Sequence, residues 1–179
     1  MAELIAPTVR LHRSFLAAMT EFAAEGRAGD GTLLGYELDR FSPQWERPDG
    51  FAEYIRWVLD QSAEDTARPP GYVPATTLWW VAGEEFLGRV NIRHRLTADL
   101  FERGGHIGYD VRASARRRGH ATRMLHDSLR VAHRLGIDPA LVTCDATNLA
   151  SRKVIEHNGG TLEDQRGAKL RFWVPTGST

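Results

Sequence analysis

Arg116-Arg117-Arg118-Gly119-His120-Ala121-Thr122 is the stretch that decides how this chain is read, because of what flanks it. On its N-terminal side His106-Ile107-Gly108-Tyr109-Asp110-Val111 has strand character. On its C-terminal side Ala121, Met124, Leu125, Leu129, Ala132 and Leu135 recur at helical spacing. The order is strand, tight basic turn, helix. A helix start presents backbone N–H groups without intrahelical partners and the positive end of the macrodipole, worth about 0.3–1 kcal/mol to a nearby anion. Gly119 lets the backbone come close to that anion, Ala121 adds little bulk, and the arginines add charge. The stretch therefore reads as a pyrophosphate cradle. A run of arginines alone is also what a solvated turn looks like; the flanking elements and the fixed Gly and Ala offsets favour phosphate. Gly119-His120-Ala121 fits neither a dinucleotide fingerprint nor a P-loop lysine motif.

Composition narrows the field. The chain has 179 residues, enough for one well-packed domain and short for two. Lys plus Arg equals Asp plus Glu at 23 each, so anion binding has to come from local clustering. Nucleic acid is not expected as a partner, because Arg123, Arg130 and Arg134 are spread along one helix without further basic clusters. One cysteine, Cys144, excludes an internal disulfide framework, fits a reducing cytoplasm, and sits in an apolar strand pattern as a buried thiol would. No long apolar run and no basic-apolar leader is present, so neither a membrane partner nor export is expected. No metal is expected either: His94, His106 and His120 fall in separate elements, without C-x-x-C or H-x-x-x-H spacing.

Along the chain, residues 4–9 can form a first strand, with Pro7 arguing for an edge position or an early end, followed by a helix with Leu11, Phe15, Leu16, Met19 and Phe22 on one face. Residues 26–47 are polar and rich in Gly, Asp and Pro, and read as a loop whose acidic Asp30, Glu37, Asp39 and Glu46 either meet a cationic amine or are simply solvated. Phe51, Tyr54, Ile55, Val58 and Leu59 mark a second helix. Residues 76–82 and 85–94 form a hairpin across Gly83-Glu84, and strand and helix then alternate to residue 174. Gly136 and Gly159 are helix stops. Trp57, Trp79 and Trp80 read as packing aromatics, and Phe172-Trp173 as the cover of a sheet or of a dimer edge, leaving monomer and homodimer both open. The expected fold is α/β (α+β): a single mixed, mostly antiparallel twisted sheet of six to seven strands flanked by about four helices.

Arg116-x-x-Gly119-x-Ala121 resembles the R/Q-x-x-G-x-G/A signature of the GCN5-related N-acetyltransferases. Leu141-Val142-Thr143-Cys144-Asp145 and then Asn148 through Gly160 resemble the strand, asparagine and helix that follow it in that family. With Asn91-Ile92-Arg93-His94 and Gly104 through Tyr109, the likeness extends over roughly the last hundred residues. The resemblance implies acetyl-CoA as cofactor, no metal, and acetyl transfer to a primary amine, either a small molecule or a peptide N-terminus. It also implies splayed central parallel strands, with main-chain contacts from Tyr109, Asp110 and Val111 to the pantetheine. Arg116, Arg117, Arg118, Gly119, His120, Ala121 and Thr122 would then surround the pyrophosphate, and Asn148 would touch pantetheine. On this reading residues 1–179 are one acetyltransferase domain, with the substrate side in 1–75 and the acetyl-CoA-binding core in 76–179. A non-catalytic acyl-CoA-binding or regulatory module is the alternative.

Proton handling is less legible. Many relatives carry a tyrosine seven residues after the asparagine, and Ile155 stands there instead. Ser151 matches the N-x-x-S variant, similar to the ribosomal-protein-alanine-acetyltransferase-like branch, in which this serine is a proposed proton donor; a capping hydroxyl is the structural reading, and water is an alternative donor. For the general base His106 is the first candidate, with a side-chain pKa suited to neutral pH, although a histidine beside Gly104-Gly105 is also a plausible structural hydrogen bonder. His94, Asp110 and Asp145 are the other candidates, and an amine of low pKa needs no strong base. In a strand His106 and Asp110 share one face. Asn148 fits an N-cap as well as a ligand contact, and the two roles are compatible.

Overall fold

The computed structural model describes residues 1–177. Seven strands form one sheet in the order β1-β2-β3-β4-β5-β7-β6: β1 Ala2–Ile5, β2 Ala75–Ala82, β3 Glu85–Arg93, β4 Ile107–Val111, β5 Ala140–Asp145, β6 Thr161–Arg166 and β7 Lys169–Val174. Among the described residues only β4 and β5 run parallel. The mixed, mostly antiparallel sheet matches the expected class. The α-helices are α1 His12–Ala24, α2 Leu33–Phe41, α3 Pro48–Asp60, α4 His120–Arg134 and α5 Leu149–His157.

The extra helix is α2, inside the stretch read as a loop. Its signals were short-range: Thr32 caps it by accepting from the Gly35 amide at 3.1 Å, and Leu34, Leu38 and Phe41 are buried at helical spacing. Glycines and prolines on either side masked a nine-residue helix. The exit segment after β3 likewise holds one turn of π-helix, Leu100–Gly104.

Each face of the sheet carries its own core. On one side α4 and α5 bury Met124, Leu125, Leu129 and Ile155 against Val90, Ile92, Ile107 and Val142. On the other, α1, α2 and α3 bury Phe15, Phe22, Leu34, Phe51 and Tyr54 against Trp79, Val81 and Phe86. Trp79 and Trp80 are fully enclosed, one on each face, and Phe172 is buried in the α4–α5 core. Trp173 is half-buried, near Phe101.

A bulge in β3 decides which face the next side chains take. The β2–β3 register steps from Trp80↔Gly88 to Val81↔Phe86, skipping Leu87. A strand's side chains alternate, so one extra residue inverts the alternation. Phe86 before the bulge and Arg89 after it therefore share the α1–α3 face, and Asn91 and Arg93 follow Arg89 onto it. Gly88 sits where β3 crosses β4; a Cβ there would lie 2.4 Å from the Asp110 carbonyl oxygen.

Candidate active site

The sheet opens between β4 and β5. Their parallel pairing is confined to Ile107 with Val142, so the β5-facing backbone of β4 beyond Ile107 has no strand partner. The hinge of this opening is tied at its base: the His106 amide donates to the Leu141 carbonyl at 2.7 Å, and the Leu141 amide donates to His106 Nδ1 at 2.9 Å. Gly105, with φ +68°, makes this approach possible, since a Cβ there would lie 2.6 Å from the Leu141 carbonyl oxygen. His106 therefore holds its proton on Nε2 and uses Nδ1 to brace the fork. Burial, then the nearby Arg93 cation, pushes its pKa down to about 4.

At the far end of β4 lies the cradle. Gly119 is the N-cap of α4 at φ +75° and Arg117 is left-handed at φ +61°, with no side-chain cap on the helix. The first amides of α4 are thus left for an anion. A cleft of about 500 Å³ opens here between α4 and α5, lined by Arg118, Gly119, Thr122, Arg123, Lys153 and His157. Arg116, in contrast, is committed: it donates to both Glu25 oxygens, at 2.5 and 2.8 Å, and to the Val111 carbonyl at 2.8 Å. Arg112 is similarly held by Glu21, whose carboxyl lies at a pKa of about 2; burial opposes that shift and bonds from Arg112 and Ser114 outweigh it. Glu21 of α1 and Glu25 at its C-cap thereby lock the loop that carries the cradle. His120 accepts from Trp80 Nε1 at 3.1 Å, leaving its main chain for a ligand.

Between fork and cradle, Tyr109 reaches from β4 to α5, where its hydroxyl lies 2.7 Å from Ser151 Oγ. The α5 cap uses the Ser151 main-chain amide, which donates to Asn148 Oδ1 at 3.1 Å. The Ser151 hydroxyl is thus not consumed in capping. Burial raises the Tyr109 pKa well above the usual tyrosine value, more than the Ser151 bond lowers it, so this pair is neutral and proton-bearing near pH 7. Ile155 is fully buried in the core. A tyrosine hydroxyl is therefore present after all, from Tyr109, 42 positions before Ser151, for which the resemblance implies main-chain contacts only. No spacing in the sequence signals it. Cys144 is buried at the same fork, and burial raises its thiol pKa.

On the α1–α3 face the buried acids are paired with arginines. Glu37, fully buried, accepts from both Nη atoms of Arg89 and from the Tyr54 hydroxyl at 2.7 Å. Of the acids read as meeting a cationic amine or as solvated, Glu37 is instead buried within the fold. Asp110 binds Arg27 at 2.8 Å, and Arg27 in turn binds Asp30 at 2.6 Å, fastening the α1–α2 connection over the fork. The second Asp110 oxygen has no protein partner among the described residues. The open space on this face is a cavity of about 750 Å³ between α2, α3, β3 and the segment 70–73. A smaller cavity of about 210 Å³ follows the fork itself and shares Asn91, Arg93, Thr143 and Lys169 with the larger one.

These features define an acyltransferase-type fold with a split sheet, and the family comparison agrees. The chain belongs to the acetyltransferase (GNAT) domain family, whose model matches residues 33–161. No curated protein sequence matches it. Among solved structures, it is similar to a ribosomal-protein-S5-alanine acetyltransferase from Vibrio fischeri, at 12% identity and TM-score 0.68 over 98% of this chain and 93% of that one. It is similar also to Mycobacterium smegmatis RimJ in complex with CoA-disulfide, at 15% identity and TM-score 0.66 over 97% and 81%. The microcin C7 self-immunity acetyltransferase MccE, in complex with acetyl-CoA and AMP, gives 12% and 0.64 over 97% and 92%. At these identities the likeness is one of fold.

Proposed function

We propose that this chain transfers the acetyl group of acetyl-CoA to a primary amine by direct attack in a ternary complex. The observation that carries the reading is the fork between β4 and β5, paired only at Ile107 and Val142. It has an uncapped helix start at one end and a proton-bearing hydroxyl pair on its wall. When bound, acetyl-CoA supplies an acyl group activated as a thioester. The chain's part is to hold and orient it: the free α4 amides with Arg117, Arg118 and Lys153 suit a pyrophosphate, while Tyr109 and the Val111 amide turn main chain toward the opening for an amide-bearing arm, the Val111 carbonyl being held by Arg116. A main-chain N–H near Val111 serves the oxyanion role. Ser151, backed by Tyr109, donates the proton to the departing sulfur. Because Nδ1 of His106 is occupied by the Leu141 amide, we assign His106 to bracing the fork. Asp110, through its free oxygen, or water takes the proton of the amine. Residues 1–75 supply the acceptor side and 76–179 the cofactor side.

A thiol-release assay over amino acids, polyamines, aminoglycosides and peptide N-termini tests the reading. Turnover of one class supports it, and calorimetric CoA binding with complete silence selects the non-catalytic module instead. Gly119→Val should weaken CoA binding at least about tenfold, since a branched residue in the left-handed region costs on the order of 1–2 kcal/mol and crowds the cradle. An unchanged dissociation constant would move the phosphates elsewhere.

The His106 bracing role carries a pH signature. Its folded pKa of about 4 lies below the ordinary histidine value of 6.5, so between these the unfolded chain binds the proton first. Stability should therefore fall as pH drops through that window. His106→Gln should show a shallower decline in urea midpoint from pH 7 to pH 5 than the parent chain; parallel curves would refute the assignment.

A further inference from the structure

One cation lining the larger cavity, Arg93, forms no ion pair among the described residues. Around its wall Glu37 is paired with Arg89, Asp30 with Arg27, Asp99 with Arg103, and Lys169 with Asp145 at 2.8 Å. Arg93 has no carboxylate partner among the described residues. Its Nη1 donates to the Gly104 and Gly105 carbonyls, each at 3.0 Å, which fixes the orientation of the guanidinium. Nε and Nη2 have no hydrogen-bond partner among the described residues. These two atoms form the parallel-donor edge of a guanidinium, the edge that meets both oxygens of a carboxylate. The β3 bulge brings Arg93 onto the α1–α3 face, and it lines both the acceptor-side cavity and the fork. Gly108 of β4 keeps the space beside it open: a Cβ there would lie 3.5 Å from Nη2.

We infer that Arg93 is a specificity-determining residue that receives a carboxylate carried by the acceptor, so that the acceptor is an amine bearing its own carboxylate group close to the reacting nitrogen. This rests on the transferase reading for the identity of the cavity as the acceptor side. A purely cationic acceptor such as a polyamine would leave Arg93 without a counter-charge and add repulsion. The pairing of Asp30 and Glu37 within the protein leaves neither acid unpaired to attract one.

The test uses matched pairs on the full chain: free amino acids against their carboxamides, and short peptides with free against amidated C-termini. Both are followed by thiol release. N-acetylated amino acids and their carboxamides are in parallel titrated calorimetrically into the CoA-loaded protein. The acid of the best pair should exceed its amide by about ten- to hundredfold, and Arg93→Gln should abolish that preference through KM rather than kcat. Arg93→Lys should recover part of it. CoA affinity should be unchanged in both variants, which also reports that they fold. An acid preference in binding that needs Arg93, with no turnover at all, would uphold this inference while refuting the transferase reading. Turnover or binding with no acid preferred over its amide, or a preference that survives Arg93→Gln, would overturn it.

Discussion

Replacing Glu37 by alanine is expected to destabilise the protein by about 3–5 kcal/mol, because the change strands Arg89 without a counter-charge in the core. Both side chains are almost wholly enclosed, at 0% and 2% exposure, and Tyr54 donates to the same carboxylate. The pKa of Arg89 rises: burial opposes the charge, and Glu37 more than offsets it. For a chain of this size the loss corresponds to roughly 6–20 °C in Tm. The paired change Glu37→Leu with Arg89→Met should recover most of it, since an apolar pair of similar volume avoids burying ions at all. Urea unfolding of the two single variants and the double variant makes the cycle. Additive losses in the double variant would show that the pair is not the source. The network joins α2 and α3 to β3, so the wall of the larger cavity depends on it.

The second large effect concerns rate. Ser151→Ala should lower kcat by about 10²- to 10³-fold on the best acceptor, the usual contribution of a positioned proton donor. CoA affinity and thermal stability should remain close to the parent values, because the α5 cap uses the Ser151 amide and not its hydroxyl. Tyr109→Phe should cost less, since the Ser151 hydroxyl would keep its place and turn to water. Measuring kcat and the CoA dissociation constant on both variants separates the roles. A Ser151→Ala enzyme with full kcat would hand the proton to water and reduce the hydroxyl pair to packing.

Local chemistry made much of this legible beforehand. The Gly119 turn, the hairpin across Gly83-Glu84, the helix stops at Gly136 and Gly159, and the burial of Trp79 and Trp80 all follow from side-chain period and backbone freedom within a few residues. The α2 helix escaped because its apolar positions are few and its flanks are rich in turn residues. The bulge at Leu87 also escaped, since a skipped residue leaves no mark in a short apolar strand.

The sequence by itself determined most of the strands and helices and the glycine turn into α4, because each depends on neighbours within one or two turns of chain. Tertiary structure alone decided where the groups that bind across the fold turn. Arg116 turned to Glu25, Glu37 to Arg89, Asp110 to Arg27, and Tyr109 to Ser151, over separations of 42 to 91 positions. Ion pairs and hydrogen bonds act over a few ångströms of space, and only packing the two helical layers against the split sheet brings such partners within that reach.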